Sequence, residues 1–154
     1  TRLRKLDEGK YDAVILAAAG LTRLGHGDRI RETLPCDLCI PAVGQGALAI
    51  ECREDNTEVR ELLGFLNHRE TKICTDAERA FLGLVEGGCQ VPIGVHADLD
   101  GDQLHIQAVI ASLDGSRIIR DTLDSLAADA VEGGRRLGTR MLGHGGREIL
   151  AEIL

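Results

Sequence analysis

The chain has 154 residues, 44% of them apolar, and a formal net charge of −7, which suits one large domain or two small ones. With one Tyr, two Phe and no Trp, the chain has few aromatic rings on which nucleic-acid bases could stack. Its negative net charge is also the opposite of the basic surface typical of a nucleic-acid-binding protein. No apolar run approaches the roughly 18 residues of a membrane span, and the first residues show no basic-then-apolar leader, so we expect a cytoplasmic protein that binds neither nucleic acid nor membrane.

The first predicted elements carry an excess of positive charge. Residues 1–31 hold seven Lys or Arg against four Asp or Glu, a local +3 that leaves −10 for the remainder. TRLRKLDEG predicts a helix ended by Gly9, and YDAVILAAAG predicts a buried parallel strand followed by a short helix at LTRLG. Open α/β sheets bind ligands at the carboxyl ends of such strands. Arg23 lies just past this strand end and Arg2 opens the preceding segment, so both could face carboxylates; a solvated helix face is the other interpretation of the basic segment.

The stretch IPAVGQGALAIEC is typical of a hinge between two lobes. Pro41, Gly44 and Gly46 lead into a predicted buried strand, Ala47–Cys52. The GQG is not a dinucleotide-binding fingerprint, because that loop needs a third glycine and a helix directly after it. NTEVRELLGFLN then predicts an amphipathic helix that ends near His68.

From about residue 69 the pattern predicts a separate α+β unit. Thr75 and Glu78 match a capping box at the start of a helix that Gly87 ends, and its apolar face consists of Ala77, Ala80, Phe81 and Leu84. VPIGVHADL, LHIQAVIASL and RIIRDTL predict three strands joined by the tight turns DGD and DGS, which favours an antiparallel meander.

Two helices are predicted to complete this unit. One begins at about Ser125 and the other runs through REILAEIL. Gly133 and Gly134 fall inside the first of them and each weakens it by about 1 kcal/mol relative to alanine. No function for these two glycines is apparent from the sequence.

Cysteine usage indicates reduced thiols, because the count is odd and the chain is too large for a typical disulfide framework; the residues are Cys36, Cys39, Cys52, Cys74 and Cys89. Cys36 and Cys39 form a CxxC. A zinc ribbon needs a second such pair or a suitably spaced His pair, and the five His show no such spacing, so we expect no metal site.

Cys89, in EGGCQVPIG, follows the predicted helix end by two residues and precedes the first strand of the meander. A helix C-terminus carries partial negative charge and disfavours a thiolate, so a standing nucleophile is not expected here. Gly87 and Gly88 free the backbone and Pro92 stiffens the exit. This setting suits one permanent covalent attachment to a strong electrophile, and a half-buried cysteine in a glycine turn is the alternative.

Three segments, TDAERAFLGLVEGGCQVPIG, YDAVILAAAGLTRLG and IPAVGQGALAIECR, closely resemble the porphobilinogen deaminase (hydroxymethylbilane synthase) family, and the resemblance covers the whole chain. It implies a transferase of tetrapyrrole (porphyrin, haem) biosynthesis with two doubly wound α/β lobes, similar to periplasmic binding proteins, and a smaller α+β domain with a three-stranded antiparallel sheet. The implied parts are the end of the second lobe (1–40), a hinge and crossover belonging to the first lobe (41–68) and the cofactor-carrying domain (69–154).

The resemblance also implies the cofactor and its neighbours. In the family the cysteine matching Cys89 is joined by a thioether to a dipyrromethane. Four porphobilinogens are added to it with loss of ammonia, and hydrolysis releases the linear tetrapyrrole. Each pyrrole brings one acetate and one propionate, so the growing chain is polyanionic. Its carboxylates require cationic groups that bind in a bidentate manner, as guanidinium groups do. By resemblance Arg2 and Arg23 match cleft arginines, Gln45 matches a hinge residue beside the cofactor, and Ala17 lies on the same strand end as Arg23.

The family's catalytic aspartate lies upstream of residue 1, so no catalytic residue is assigned here, and Asp12, Asp28 and Asp37 are not given that role. With no initiator Met and no first half of the first lobe, we expect a fragment, monomeric by resemblance, that does not turn over porphobilinogen by itself.

Two other functions stay open from the residues alone. One is a non-catalytic small-anion-binding α/β module in which Cys89 is a free thiol. The other is a thiol redox or zinc protein built on Cys36 and Cys39, which would be indifferent to Cys89→Ser.

Overall fold

A computed structural model of the chain describes residues 1–85 and 91–153. The predicted helix end at Gly87 and the predicted attachment residue Cys89 therefore lie outside the described residues. The chain divides into two compact units, unit 1 (Thr1–Leu34) and unit 2 (Pro35–Leu154). In the part that the structure describes, no helix has both the length and the apolar character to cross a membrane.

Unit 1 contains two short α-helices and a 3₁₀ turn. Helix α1 spans Arg2–Asp7, α2 spans Ala18–Arg23, and the 3₁₀ turn spans Gly27–Arg29. The predicted stop of α1 is confirmed, because Gly9 follows its end with φ +69°, a conformation that glycine adopts without a Cβ clash. The helix predicted at LTRLG begins three residues earlier than expected.

The two predicted buried strands are not strands in the structure. Residues 11–17 and 47–52 have no regular secondary structure, and Ile15 and Leu48 are 73% and 77% exposed. A strand is stable only when a neighbour pairs with its backbone N–H and C=O groups. Neither segment pairs with a strand among residues 1–85 and 91–153, so the apolar run alone was an insufficient signal.

Unit 2 contains the longer helices. Helix α3 (Thr57–Leu63) continues into a 3₁₀ turn (Gly64–Leu66), which confirms the predicted helix in this region. Helix α4 is Arg69–Val85 and α5 is Ala130–Met141, preceded by a 3₁₀ turn at Ala127–Asp129. A kinked turn, Leu142–Gly146, leads into α6 (Arg147–Ala151), the helix predicted at REILAEIL.

The predicted meander is confirmed. Strands β1 (Ile93–Asp100), β2 (Gln103–Ala111) and β3 (Ile118–Leu126) form an antiparallel sheet in that order. Ser125 pairs with Leu104 in β2, so the helix predicted from Ser125 cannot begin before the strand ends. The sheet, with α4 and α5 packed on it, confirms the α+β fold expected for this unit.

The core lies between the sheet and the α4/α5 pair, and its largest fully buried side chains are Phe81, Val95, Leu104, Ile106, Ile110, Leu137 and Met141. Helices α4 and α5 approach closely because α5 has no side chain at the contact: a Cβ on Gly134 would lie 2.1 Å from the carbonyl oxygen of Ala77. Gly133 and Gly134 are both buried. The glycines that were predicted only to weaken α5 therefore permit its packing.

The β2–β3 turn contains a carboxyl group with a low pKa. Asp114 Oδ1 accepts hydrogen bonds from Ser112 Oγ (2.6 Å), Ser116 N–H (3.0 Å) and Ser116 Oγ (2.8 Å). These bonds, that of Ser112 first, lower the pKa of Asp114 from 3.8 to about 2. Because the folded-state pKa is depressed, the bonds stabilise the fold above about pH 4, and this contribution is lost as the pH falls through about 2.

We expect an NMR titration of the Asp114 carboxyl carbon to give a midpoint near 2, and Ser112→Ala to raise that midpoint because the largest contribution is removed. An identical midpoint in the variant would contradict this origin of the shift.

Candidate functional site

The predicted anion-binding residues of unit 1 are on its surface. Arg2 is the first residue of α1 and Arg23 is the last residue of α2, and both are exposed. Ala17 precedes α2 as its N-cap, and its carbonyl oxygen accepts hydrogen bonds from Gly20 N–H (3.1 Å) and Leu21 N–H (3.3 Å). Ala17 thus contributes only its backbone carbonyl to the start of α2, without a side-chain cap.

The ion pairs of unit 1 are formed by Arg4, Lys10 and Arg29 and not by Arg2 or Arg23. Glu8 pairs with Arg4 (2.5 Å) and Lys10 (2.7 Å). Asp7 pairs with Arg29 and, through a hydrogen bond and its charge, raises the pKa of that guanidinium.

Among residues 1–85 and 91–153, no carboxylate lies within ion-pairing distance of Arg2 or Arg23, and Lys5 and Arg31 are likewise unpaired there. The guanidinium groups of Arg2 and Arg23 are therefore available to carboxylates of a ligand.

Gln45 lies in unit 2, in a tight turn. Its N–H donates to the carbonyl oxygen of Ala42 (3.0 Å), and Ala47 N–H donates to that of Gly44 (3.0 Å). Gly44 and Gly46 have φ of +66° and +92°. Residues with a Cβ rarely adopt these left-handed conformations, which explains the two glycines of GQG. The side chain of Gln45 is exposed at the tip of this turn.

A cavity of about 300 Å³ adjoins the Gln45 turn. The turn forms one side, helix α4 a second and strand β1 a third; the ionisable residues that line it are His68, Glu70, Cys74, Glu78, His96 and Asp98. Three carboxyl groups make this cavity unsuitable for a ligand rich in carboxylates. A polyanion would have to reach Gln45 from its solvent-exposed side.

Glu78 links the three sides of this cavity. Its residue is 5% exposed, Oε2 accepts from Gly44 N–H (2.7 Å), and Oε1 accepts from Ala97 N–H (3.0 Å). The predicted capping box is wrong, because α4 begins at Arg69 and places Thr75 and Glu78 inside the helix. Thr75 Oγ1 instead donates to the carbonyl oxygen of Thr71 (2.8 Å).

The inward position of Glu78 was the functional feature missed in the sequence. Glu78 is four residues after Cys74, three before Phe81 and seven before Val85, which is the spacing of one helix face. A charged residue in register with buried apolar positions was the available signal.

The thiols in the described part are free: Cys36, Cys39, Cys52 and Cys74. Burial first, then the charges of Glu78, Asp98 and Glu70, raise the pKa of Cys74, which disfavours its thiolate. Cys39 is exposed and Cys36 half-buried. Among residues 1–85 and 91–153, no group of three or more His, Cys, Asp or Glu could hold a metal ion.

Comparison with known proteins gives two matching family models. One, described as "Porphobilinogen deaminase, dipyromethane cofactor binding domain", matches residues 1–61. The other, described as "Porphobilinogen deaminase, C-terminal domain", matches residues 72–143.

Curated relatives match nearly the whole chain. Proteins named porphobilinogen deaminase from Synechococcus sp. (strain CC9311), Geobacter sulfurreducens and Desulforamulus reducens are 53%, 51% and 46% identical over 153 residues. These alignments cover 99% of this chain and 48%, 48% and 50% of the three relatives. The chain thus spans about half the length of the curated relatives it matches.

Proposed function

The chain belongs to the porphobilinogen deaminase family, and from this we propose that it is the C-terminal part of a hydroxymethylbilane synthase. This transferase would join four porphobilinogens head to tail, with loss of ammonia, on a dipyrromethane held by Cys89, and release the linear tetrapyrrole by hydrolysis. The observation that carries the proposal is the 46–53% identity over 153 residues to three proteins named porphobilinogen deaminase.

The residues of the chain fit such a cofactor chemically. When bound, the dipyrromethane supplies the pyrrole carbon to which the next ring is joined, together with acetate and propionate groups. Arg2 and Arg23 present guanidinium forks without an ion-pair partner in the described residues, which is the donor type that carboxylates require. Within unit 2, the acidic cavity beside Gln45 disfavours carboxylates on that side of the turn.

Each assigned residue has a distinct role in this proposal. Cys89 supplies the sulfur of a permanent thioether, for which accessibility matters more than a low thiol pKa. Arg2 and Arg23 hold carboxylates of the growing chain and keep its charge neutralised as rings accumulate. Gln45 offers an exposed amide that can donate or accept a hydrogen bond, and Ala17 lies directly before α2, the helix that ends at Arg23.

We also propose the division into 1–40, 41–68 and 69–154. The match to the cofactor-binding model ends at residue 61 and that to the C-terminal model begins at residue 72, on either side of the second boundary. In the sequence, the boundary between the two compact units falls between residues 34 and 35. This is six residues before the proposed boundary between residues 40 and 41.

Intact mass spectrometry tests the proposed function. The protein for this test is a chimaera that joins this chain to the part of the Synechococcus relative that it does not match, supplied with porphobilinogen. We expect the mass to exceed that of the polypeptide by one dipyrromethane. An unmodified polypeptide that still binds small carboxylates would favour the anion-binding module, and bound zinc or a Cys36–Cys39 disulfide would favour the redox or zinc alternative.

Arg2→Gln and Arg23→Gln are each expected to lower kcat/KM of this chimaera about 10- to 100-fold, since a charge-assisted hydrogen bond contributes roughly 1.5–3 kcal/mol. Steady-state assay of hydroxymethylbilane formation measures the change. Arg4→Gln is the matched control: Arg4 is on the same helix as Arg2 but already pairs with Glu8, so less than a twofold change is expected from losing a surface pair. Equal effects of Arg4→Gln and Arg2→Gln would contradict a specific role of Arg2.

A further inference from the structure

The segment that carries Gln45 is fastened to unit 2 at several points. Arg120 Nη1 and Nη2 donate to the carbonyl oxygens of Asp37 (2.6 Å) and Leu38 (3.1 Å). Val95 N–H donates to the carbonyl oxygen of Pro41 (3.0 Å). These contacts fix the segment before the turn, and Gly44 is the next point of attachment.

At Gly44 the attachment is a buried carboxylate. Burying a charge is costly unless it is compensated by hydrogen bonds, and Glu78 is compensated by the N–H groups of Gly44 and Ala97. His96 Nδ1 lies 3.8 Å from Oε1, which is beyond hydrogen-bonding distance. Glu78 is thus satisfied by two backbone donors that belong to two different elements.

The contact at Gly44 is adjacent in sequence to Gln45. Gly44 has φ +66°, so the direction of its N–H is set by a left-handed turn, and Glu78 Oε2 accepts at 2.7 Å. Losing this acceptor would remove the hydrogen bond at Gly44 itself and leave the packing of Val43 against the core and the earlier contacts at Pro41 and Leu38. Among these contacts, the bond to Glu78 acts on the residue directly before Gln45.

Helix α4, which carries this carboxylate, precedes Cys89 in the sequence. Glu78 is seven residues before Val85, the last residue of α4, a separation of about 10 Å along a helix at 1.5 Å per residue. Cys89 follows Val85 by four residues in the sequence. One helix thus holds the Gln45 turn at Glu78 and also contains Val85, the described residue that precedes Cys89 most closely in the sequence.

We propose that Glu78 is a positioning residue for the polypyrrole-forming reaction, acting through Gln45. It holds the Gln45 turn and strand β1 at a fixed place on α4, and so sets where the Gln45 amide lies relative to that helix. This proposal rests on the proposed function, in which Cys89 carries the dipyrromethane and Gln45 contacts it.

A double-mutant cycle with Gln45→Ala tests the proposal in the chimaera described above. Glu78→Gln keeps the shape of the side chain but can accept from only one of the two N–H groups, because its amide nitrogen is a donor. We expect Glu78→Gln to lower kcat about tenfold in the wild-type background and to have no further effect in the Gln45→Ala background, as for two groups that act as a unit. A merely structural role would give the same fold-change in both backgrounds and would overturn the proposal.

Asp76→Asn is the matched control. It removes the same charge from the same helix, but at a surface ion pair with Lys72, and is expected to change kcat less than twofold. If Glu78→Gln does not fold, Glu78→Asp is used in the same cycle: it keeps the charge and loses the reach to both donors, so the same non-additivity with Gln45→Ala is expected.

Hydrogen exchange of the wild-type and variant amides gives a second, activity-independent measurement. Gly44 N–H is expected to exchange at least about tenfold faster in Glu78→Gln than in the wild type. Unchanged exchange together with unchanged kcat would overturn the proposal. Absence of the dipyrromethane from wild-type chimaera would instead refute the proposed function, because the mass is measured before any substitution at Glu78.

Discussion

Cys89→Ser is expected to abolish hydroxymethylbilane formation by the chimaera, with a loss of at least about 1,000-fold in turnover, or roughly 4 kcal/mol of transition-state stabilisation. A serine hydroxyl is a far poorer nucleophile than a thiol toward the electrophile that forms the tether. Without the tether, each added ring diffuses away instead of remaining beside the next one. Intact mass should show no dipyrromethane, and the porphobilinogen assay should show no product above background.

The other cysteines provide controls for this prediction. Cys52→Ser changes an exposed thiol and Cys74→Ser a half-buried one whose raised pKa disfavours the thiolate. Both variants should keep the dipyrromethane and at least half of the activity. Retention of the dipyrromethane by Cys89→Ser, or its loss from Cys52→Ser, would refute the assignment of the attachment site.

Gly134→Ala is expected to reduce the free energy of unfolding by about 3 kcal/mol, at the upper end of the range for overpacked sites. Its Cβ would lie 2.1 Å from the carbonyl oxygen of Ala77 and 3.2 Å from the backbone nitrogen of Phe81. Backbone atoms of a helix cannot turn aside as a flexible side chain can, so α4 and α5 must move apart and the core between them loosens.

Urea unfolding followed by circular dichroism at 222 nm measures this loss, because the chain has no Trp and its single Tyr, Tyr11, lies in unit 1. Gly83→Ala is the matched control. Gly83 is in α4, and a Cβ there meets no atom within 4 Å, so the better helix former should add about 0.5–1 kcal/mol. Effects of the same sign at the two positions would contradict the packing argument.

The sequence was most informative where local chemistry determines the structure. The meander followed from alternating apolar residues and from the glycines of DGD and DGS, whose positive φ values the structure shows at Gly101 and Gly115. The helix stop at Gly9 followed for the same reason. The family resemblance depended on long motifs, and the matching family models agree with it.

Features that depend on tertiary contacts could not be predicted. The apolar runs at 11–17 and 47–52 have the composition of strands, but pairing requires a neighbour that no local pattern supplies. The sequence around Glu78 is compatible with a helix-capping residue and equally with a buried hydrogen-bond acceptor. Only the position of Gly44 N–H in the fold distinguishes these two interpretations. Gly133 and Gly134 are costly in an isolated helix, whereas their benefit comes from close packing on other elements: Gly133 lies against Ile106 and Ser125 of the sheet, and Gly134 against α4.

The outer side of β1 has a consequence for how this protein behaves at high concentration. The N–H groups of Val95 and Ala97, which point away from β2, are occupied by the carbonyl oxygen of Pro41 and the carboxylate of Glu78. An uncovered edge strand offers such donors to another polypeptide and promotes edge-to-edge aggregation. Here the segment that contains Pro41 and the buried carboxylate of Glu78 cover this edge of the sheet. Self-association by strand addition at β1 is therefore disfavoured.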